Sequence, residues 1–145
     1  MHFRNDFSFV AHAPIDVAGP LFGADMERAW APDWNPAFVW PQKAVDQPGM
    51  VFTIAHGDKA AVWVNTAFDL AAGRVQYVYV LPDVVATIVN LRLEPAGSTT
   101  RVAVTYERTA LREAARDIVR HMAERDAMAG PEWEHQINTY LAARR

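Results

Sequence analysis

The chain has no cysteine, which excludes disulfides, thiolate metal centres and cysteine nucleophiles, and fits the reducing cytoplasm expected as its compartment. Lysine is almost as scarce, with Lys43 and Lys59 alone. A net charge of −3 offers no clustered basic surface, so neither nucleic acid nor an anionic membrane is expected as a partner. The seven glycines stand far apart, at 19, 23, 49, 57, 73, 97 and 130, and form neither a dinucleotide fingerprint nor a phosphate loop. Only Ser8 and Ser98 are serines, and neither sits in a glycine-flanked strand-to-helix elbow. No stretch approaches the roughly 20 apolar residues of a membrane helix. The opening MHFRNDFSFV is broken by charge at Asp6, so it reads as neither signal peptide nor anchor. What remains is 145 residues, 51% of them hydrophobic, expected to fold as one domain over 1–145. At this length about two-thirds of the unfolded surface is buried, enough for a core without staples.

Charge and proline divide the chain into zones. Residues 7–13, FSFVAHA, suit a strand ending at Pro14, although either face is tolerable inside. IDVAGPLFG and ADMERAW then fit two short helical turns, with Asp16 and Asp25 placed to cap them. Trp30 to Pro41 packs three tryptophans and three prolines into twelve residues, a stiff loop serving as a lid over a cavity or as packing under a long connection.

Between 49 and 109, runs of β-branched and aromatic residues alternate with turn signals at Gly57-Asp58, Gly73, Pro82-Asp83 and Pro95-Ala96-Gly97. These are five successive strands. Their connections are too short for crossover helices, which makes them antiparallel neighbours. From Glu107 onward the apolar spacing turns helical, with a stripe of Leu111, Ala115, Ile118 and Met122 and surface pairs Glu113–Arg116 and Asp117–Arg120. Gly130-Pro131 is expected to interrupt this helix before a second stripe of Trp133, Ile137, Tyr140 and Leu141. The class is α+β: a six- to seven-stranded antiparallel sheet that curls, two short helices after the first strand, and a long C-terminal helix. One helix about 10 Å wide does not fill the concavity of so wide a sheet, so a space remains for side chains or a ligand.

With this order of elements, AHAPIDVAGPLFG, ERAWAPDWNP from Glu27, and VWVNTAFDLAAGRVQYVYVLP running on to TRVAVTYERTAL resemble the START-like (SRPBCC) superfamily. Its polyketide cyclase-like and Hsp90-activator-like members are helix-grip domains. The resemblance implies a curved sheet wrapped around the last helix, enclosing a pocket for a small hydrophobic ligand. The helix break at Gly130-Pro131 departs from that pattern.

The candidate pocket residues follow from phase. Tyr77 and Tyr79 share one face of a strand, and Tyr106 is in phase with Val102 and Val104. Thr87 and Val89 lie on the drier side of theirs, opposite Ile88 and Asn90. If these faces point inward, the hydroxyls orient a ligand's carbonyl or hydroxyl, or are satisfied within the core. Met122 comes from the helix stripe, Trp34 from the tryptophan loop, and His121 borders the stripe with Glu124 within helical reach. A metal would need His12 or His56 to converge on His121, so none is expected, nor any other cofactor. Arg108 shares the phase of Tyr106 and reaches a ligand carboxylate or a surface partner. The direction of Trp63 and Asn65, against Val62, Val64 and Phe68, is undecided.

Three functions suit this chain: binding of a small, mostly apolar molecule; a cyclase or dehydratase in which a tyrosine or His121 moves a proton; or protein interaction through the outer sheet face. No catalytic residue is assigned. Val62 with Val64 and Val78 with Val80 also permit a homodimer through that face.

Overall fold

Alternating inward and outward side chains build the sheet, and the turn residues set its order. The computed structural model describes residues 1–144; Arg145, the last residue of the expected domain, lies outside the described residues. Seven strands are hydrogen-bonded in the order β1-β7-β6-β5-β4-β3-β2. They are β1 (His2–Ala11), β2 (Ala37–Trp40), β3 (Val51–His56), β4 (Lys59–Asp69), β5 (Arg74–Leu81), β6 (Val85–Ala96) and β7 (Thr99–Ala110). The expected meander is β3 to β7, each strand antiparallel to the next. At Gly73 only glycine fits: its φ is +67°, and a Cβ there would lie 2.1 Å from the carbonyl oxygen of Leu93.

Two strands correct the sequence reading. The first begins at His2 rather than at residue 7 and pairs with β7 from His2↔Thr109 to Ala11↔Thr100. Phe3, Phe7, Phe9 and Ala11 face inward, while Arg4, Asp6, Ser8 and Val10 face water, so alternation held through the polar start. The second half of the tryptophan loop is not loop. It forms β2, a short edge strand with a bulge between Phe38 and Trp40, bracketed by Pro36 and Pro41 as proline's missing donor requires.

The short helical turns are α1 (Ile15–Ala18) and two single 3₁₀ turns, Gly19–Phe22 and Met26–Ala29. Neither expected cap forms: Asp16 lies inside the first turn of α1, and Asp25 pairs with Arg28 at 3.2 Å. The C-terminal helix is split into α2 (Arg116–Ala127) and α3 (Ala129–Ala143). The break falls at Met128, upstream of Gly130-Pro131, because Pro131 has no N–H for the carbonyl of Ala127 and its ring crowds that carbonyl. Gly130 is instead a packing residue, where an added Cβ would sit 3.4 Å from Phe7.

Both helices lie over β1, and α2 lies over β7 as well. Glu134 and Asn138 of α3 accept the backbone N–H groups of Val10 and His12 at 2.9 and 2.7 Å, and Asn138 donates to the carbonyl of Val10, which closes part of the free edge of β1. The inward stripe of α2 is also rotated from the expected one. Ala115, Val119 and Ala123 are buried and Met122 half-buried, whereas Leu111 and Ile118 are exposed. The helices therefore cover one side of the sheet, and the inner face of β4 to β6 meets the tryptophan segment instead.

Candidate functional site

A cavity of about 240 Å³ lies in that gap, between the inner sheet face, the Met26–Ala29 turn with the residues after it, and the start of α3. Its floor is Trp63, Tyr77, Val89 and Leu91, all buried. Trp30 and Trp34 form one wall, Tyr106 and Trp133 the other, and Pro32, Glu132 and Gln136 the rim. The walls are fixed. The Trp30 indole donates to the carbonyl of Leu21 and the Trp34 indole to that of Ala24, both at 2.7 Å. Trp30 packs against Trp133 at 5.4 Å, and Trp34 meets Trp63 edge-on at 5.4 Å, within the range where aromatic pairs stabilise beyond their area.

Polar groups in this lining are few and of one sign. Glu27 lines the cavity with no hydrogen bond or ion pair to its carboxylate among the described residues. Burial, reinforced by the negative charge of Asp46, pushes its carboxyl well above the ordinary carboxylate range. Asp46 is raised too, chiefly by burial and then by Asp25, against a lowering bond from the backbone of Ala24. Tyr77 donates to the carbonyl of Phe22 at 2.7 Å, and burial followed by Glu27 and Asp46 raises its phenol well above the usual range. Tyr106 is raised by burial, with Arg108 opposing, and its hydroxyl has no hydrogen-bond partner among the described residues.

Behind Tyr106 a buried ion pair ties α2 to the sheet. Arg108 donates through Nε and Nη2 to the Asp126 carboxylate at 2.5 and 2.9 Å, and through Nη1 to the hydroxyls of Tyr79 and Thr87 at 2.5 and 3.1 Å. Its guanidinium lies 4.8 Å from the ring centroid of Tyr106. The positive charge behind Tyr106 is thus paired with Asp126.

No family model matches the chain, and no curated protein matches it. Solved structures do. Zhui aromatase/cyclase from Streptomyces sp. R1128 is similar at a TM-score of 0.73 and 14% identity, covering 100% of this chain and 97% of that one. The chain has the START-like helix-grip fold. Ara h 8.0201 shares it at a TM-score of 0.71 and 14% identity, with 99% of both chains covered. So does norcoclaurine synthase from Thalictrum flavum in complex with dopamine and hydroxybenzaldehyde, at 0.68 and 10%, covering 100% of this chain and 89% of that one. Among the described residues, no helix is long and apolar enough to cross a membrane, and no group of three histidines or carboxylates is placed to hold a metal.

The helix grip sorts the expected site residues into three groups. Tyr77, Tyr106, Val89 and Trp34 line the cavity. Tyr79, Thr87 and Met122 are outside the lining and surround the Arg108 guanidinium instead, Met122 through its sulfur at 3.8 Å. His121 belongs to neither. Its side chain is 76% exposed on the outer side of α2, 3.4 Å from Glu124, because the inward stripe passes through Val119, Met122 and Ala123. Arg108 reaches neither a ligand carboxylate nor a surface partner, since Asp126 holds it inside. Trp63 and Asn65 face inward, and Val62 and Val64 outward.

Glu27 and Asp126 went unrecognised in the sequence. Asp126 carried a signal, because it falls four residues after Met122 and so continues the inward stripe with a charge. Glu27 carried none, since a glutamate in a four-residue turn reads as a wet one. Asn65, fully buried with both amide atoms unpartnered, shares the inner face of β4 with Trp63, whose buried Nε1 is also unpartnered, but lies outside the cavity lining.

Proposed function

We propose that this helix-grip domain binds one small, mostly apolar molecule, a single ring with a short substituent, between the sheet and the tryptophan wall. The observation that carries the reading is the cavity itself. At ~30 Å³ per water its volume equals about eight waters, the room of a molecule with roughly eight to twelve non-hydrogen atoms. Norcoclaurine synthase, of the same fold, holds dopamine and hydroxybenzaldehyde, molecules of that size. A single ring hides on the order of 150–200 Å² of apolar surface, and at about 25 cal/mol per Å² this gives about 4–5 kcal/mol, a dissociation constant near millimolar.

Tryptophan fluorescence tests it, because four of the five tryptophans line the cavity. Titration with 2-phenylethanol quenches or shifts the emission saturably, palmitate does not, and Ala31→Phe at the half-buried mouth removes the response. Equal responses in the wild type and Ala31→Phe overturn the reading.

A second reading, proton transfer on a carbonyl compound, is supported by Glu27 and the Tyr106 hydroxyl, which both face this space without partners. It puts Glu27 in the role first considered for His121. The homodimer remains a separate proposal, resting on the outward Val62, Val64, Val78 and Val80; the native mass decides it.

A further inference from the structure

The cavity's charge is more specific than its shape. Thirteen residues line it, and the charged ones are Glu27 within and Glu132 at the rim, with no lysine, arginine or histidine among them. Glu132 is partnered, accepting from Gln136 at 3.0 Å. Glu27 is not. Around these carboxylates stand six aromatic rings, whose faces carry the negative end of the ring quadrupole. Two cations stand near the cavity outside its lining: Arg108 has its Nε, Nη1 and Nη2 donors committed to Asp126, Tyr79 and Thr87, and Arg28, next in the chain to Glu27, is held by Asp25 at 3.2 Å and by the carbonyl of Pro36 at 2.8 Å.

An anion entering this space meets no cation in the lining to pair with, and repulsion from Glu132 and from Glu27 once that carboxyl is ionised. A neutral ring gains burial alone. A ring bearing a protonated nitrogen gains the same burial, a counter-ion in Glu27 and the surrounding ring faces. Resting on the binding reading above, we infer that the molecule held here is a small aromatic amine in its ammonium form, with the nitrogen against Glu27 and the ring among the tryptophans. The raised Glu27 carboxyl agrees with such a role: the free cavity holds an acid short of a counter-ion, and a bound ammonium stabilises its ionised form.

The test uses three near-isosteric probes on the intact protein: 2-phenylethylamine, 2-phenylethanol and phenylacetate, titrated by tryptophan fluorescence at pH 7.5 and low ionic strength. The expected result is an amine bound at least tenfold tighter than the alcohol, and an acid bound at least tenfold more weakly than the alcohol. Alcohol binding equal to or tighter than amine binding overturns the charge inference and leaves the cavity reading standing. No response to any probe overturns both.

Glu27→Gln brings the amine-to-alcohol ratio close to one; an unchanged ratio refutes Glu27 as the counter-ion. If that variant fails to fold, the wild-type pH profile gives the same decision. Asp46, Tyr77, Tyr106 and Glu132 are the charged or titratable groups acting on Glu27 or sharing its cavity, Asp25 acts on Asp46, and burial with the charge of Asp46 raises the Glu27 carboxyl. The amine's affinity relative to the alcohol therefore rises between pH 5 and 8 as Glu27 ionises. A flat ratio over that window refutes the inference.

Discussion

Replacing Asp126 by asparagine removes the counter-ion of a guanidinium that is 9% exposed and has only protein groups for partners. At about 4 Å between charge centres and an effective dielectric constant of ~20, the lost attraction is ~4 kcal/mol. Mutational experience with broken buried pairs gives about 3–5 kcal/mol, since the surviving charge is stranded in a dry site. At this chain length each kcal/mol corresponds to roughly 2–4 °C, so the melting temperature should fall by about 10 °C. Urea unfolding followed by circular dichroism measures it at equilibrium. The double variant Arg108→Leu/Asp126→Leu removes both charges and should recover most of the loss, because buried pairs exchange for apolar residues at little net cost. A loss below ~1 kcal/mol for Asp126→Asn would mean that water reaches the pair. A double variant less stable than the single one would mean that the network, including Tyr79 and Thr87, contributes more than its ionic part.

Two further outcomes follow from geometry already described. In Glu27 the folded-state carboxyl is raised, so the native state binds more protons than the unfolded chain and stability falls as pH climbs from the unfolded value through the raised one. The stability advantage of Glu27→Gln over the wild type should therefore grow between pH 4 and 8 in thermal melts, and a difference constant with pH contradicts the assignment. Gly73→Ala combines a left-handed backbone with a Cβ 2.1 Å from a carbonyl oxygen, so the β4–β5 turn must shift, at a cost above the ~1 kcal/mol of a strained turn alone. Wild-type stability in that variant would show that the Leu93 carbonyl yields freely.

The meander was readable because each strand carries its own period and each turn its own breaker, information that is local in the chain. Tyr77, Tyr106 and Val89 could be placed facing the cavity for the same reason, since phase along a strand decides the face. The misplaced features depend on partners distant in sequence. β2 exists because Thr53 and Phe52 offer it a ladder, not because AFVW insists on being extended. His121 lies outside because the side of α2 turned inward is the one that carries Asp126 to Arg108, a partner on β7 that no periodicity within the helix encodes, and Leu111 precedes α2 altogether. Glu27 became a cavity group through the folding of a turn against β5 and β7.

The pairing of β1 with β7 joins residues 107 positions apart at His2 and Thr109. A chain emerging from the ribosome has its first strand ready long before its partner exists, and the glutamate and asparagine that seal the strand's other edge, Glu134 and Asn138, arrive later still. Until then β1 is an unpaired strand with two open edges. Such distant closures slow folding, because loop entropy must be overcome before any contact rewards it. The meander, whose contacts are local, can form first; the final joining of β1, α3 and the sheet then comes as one late event, and the nascent chain is most open to aggregation or to chaperone capture just before it.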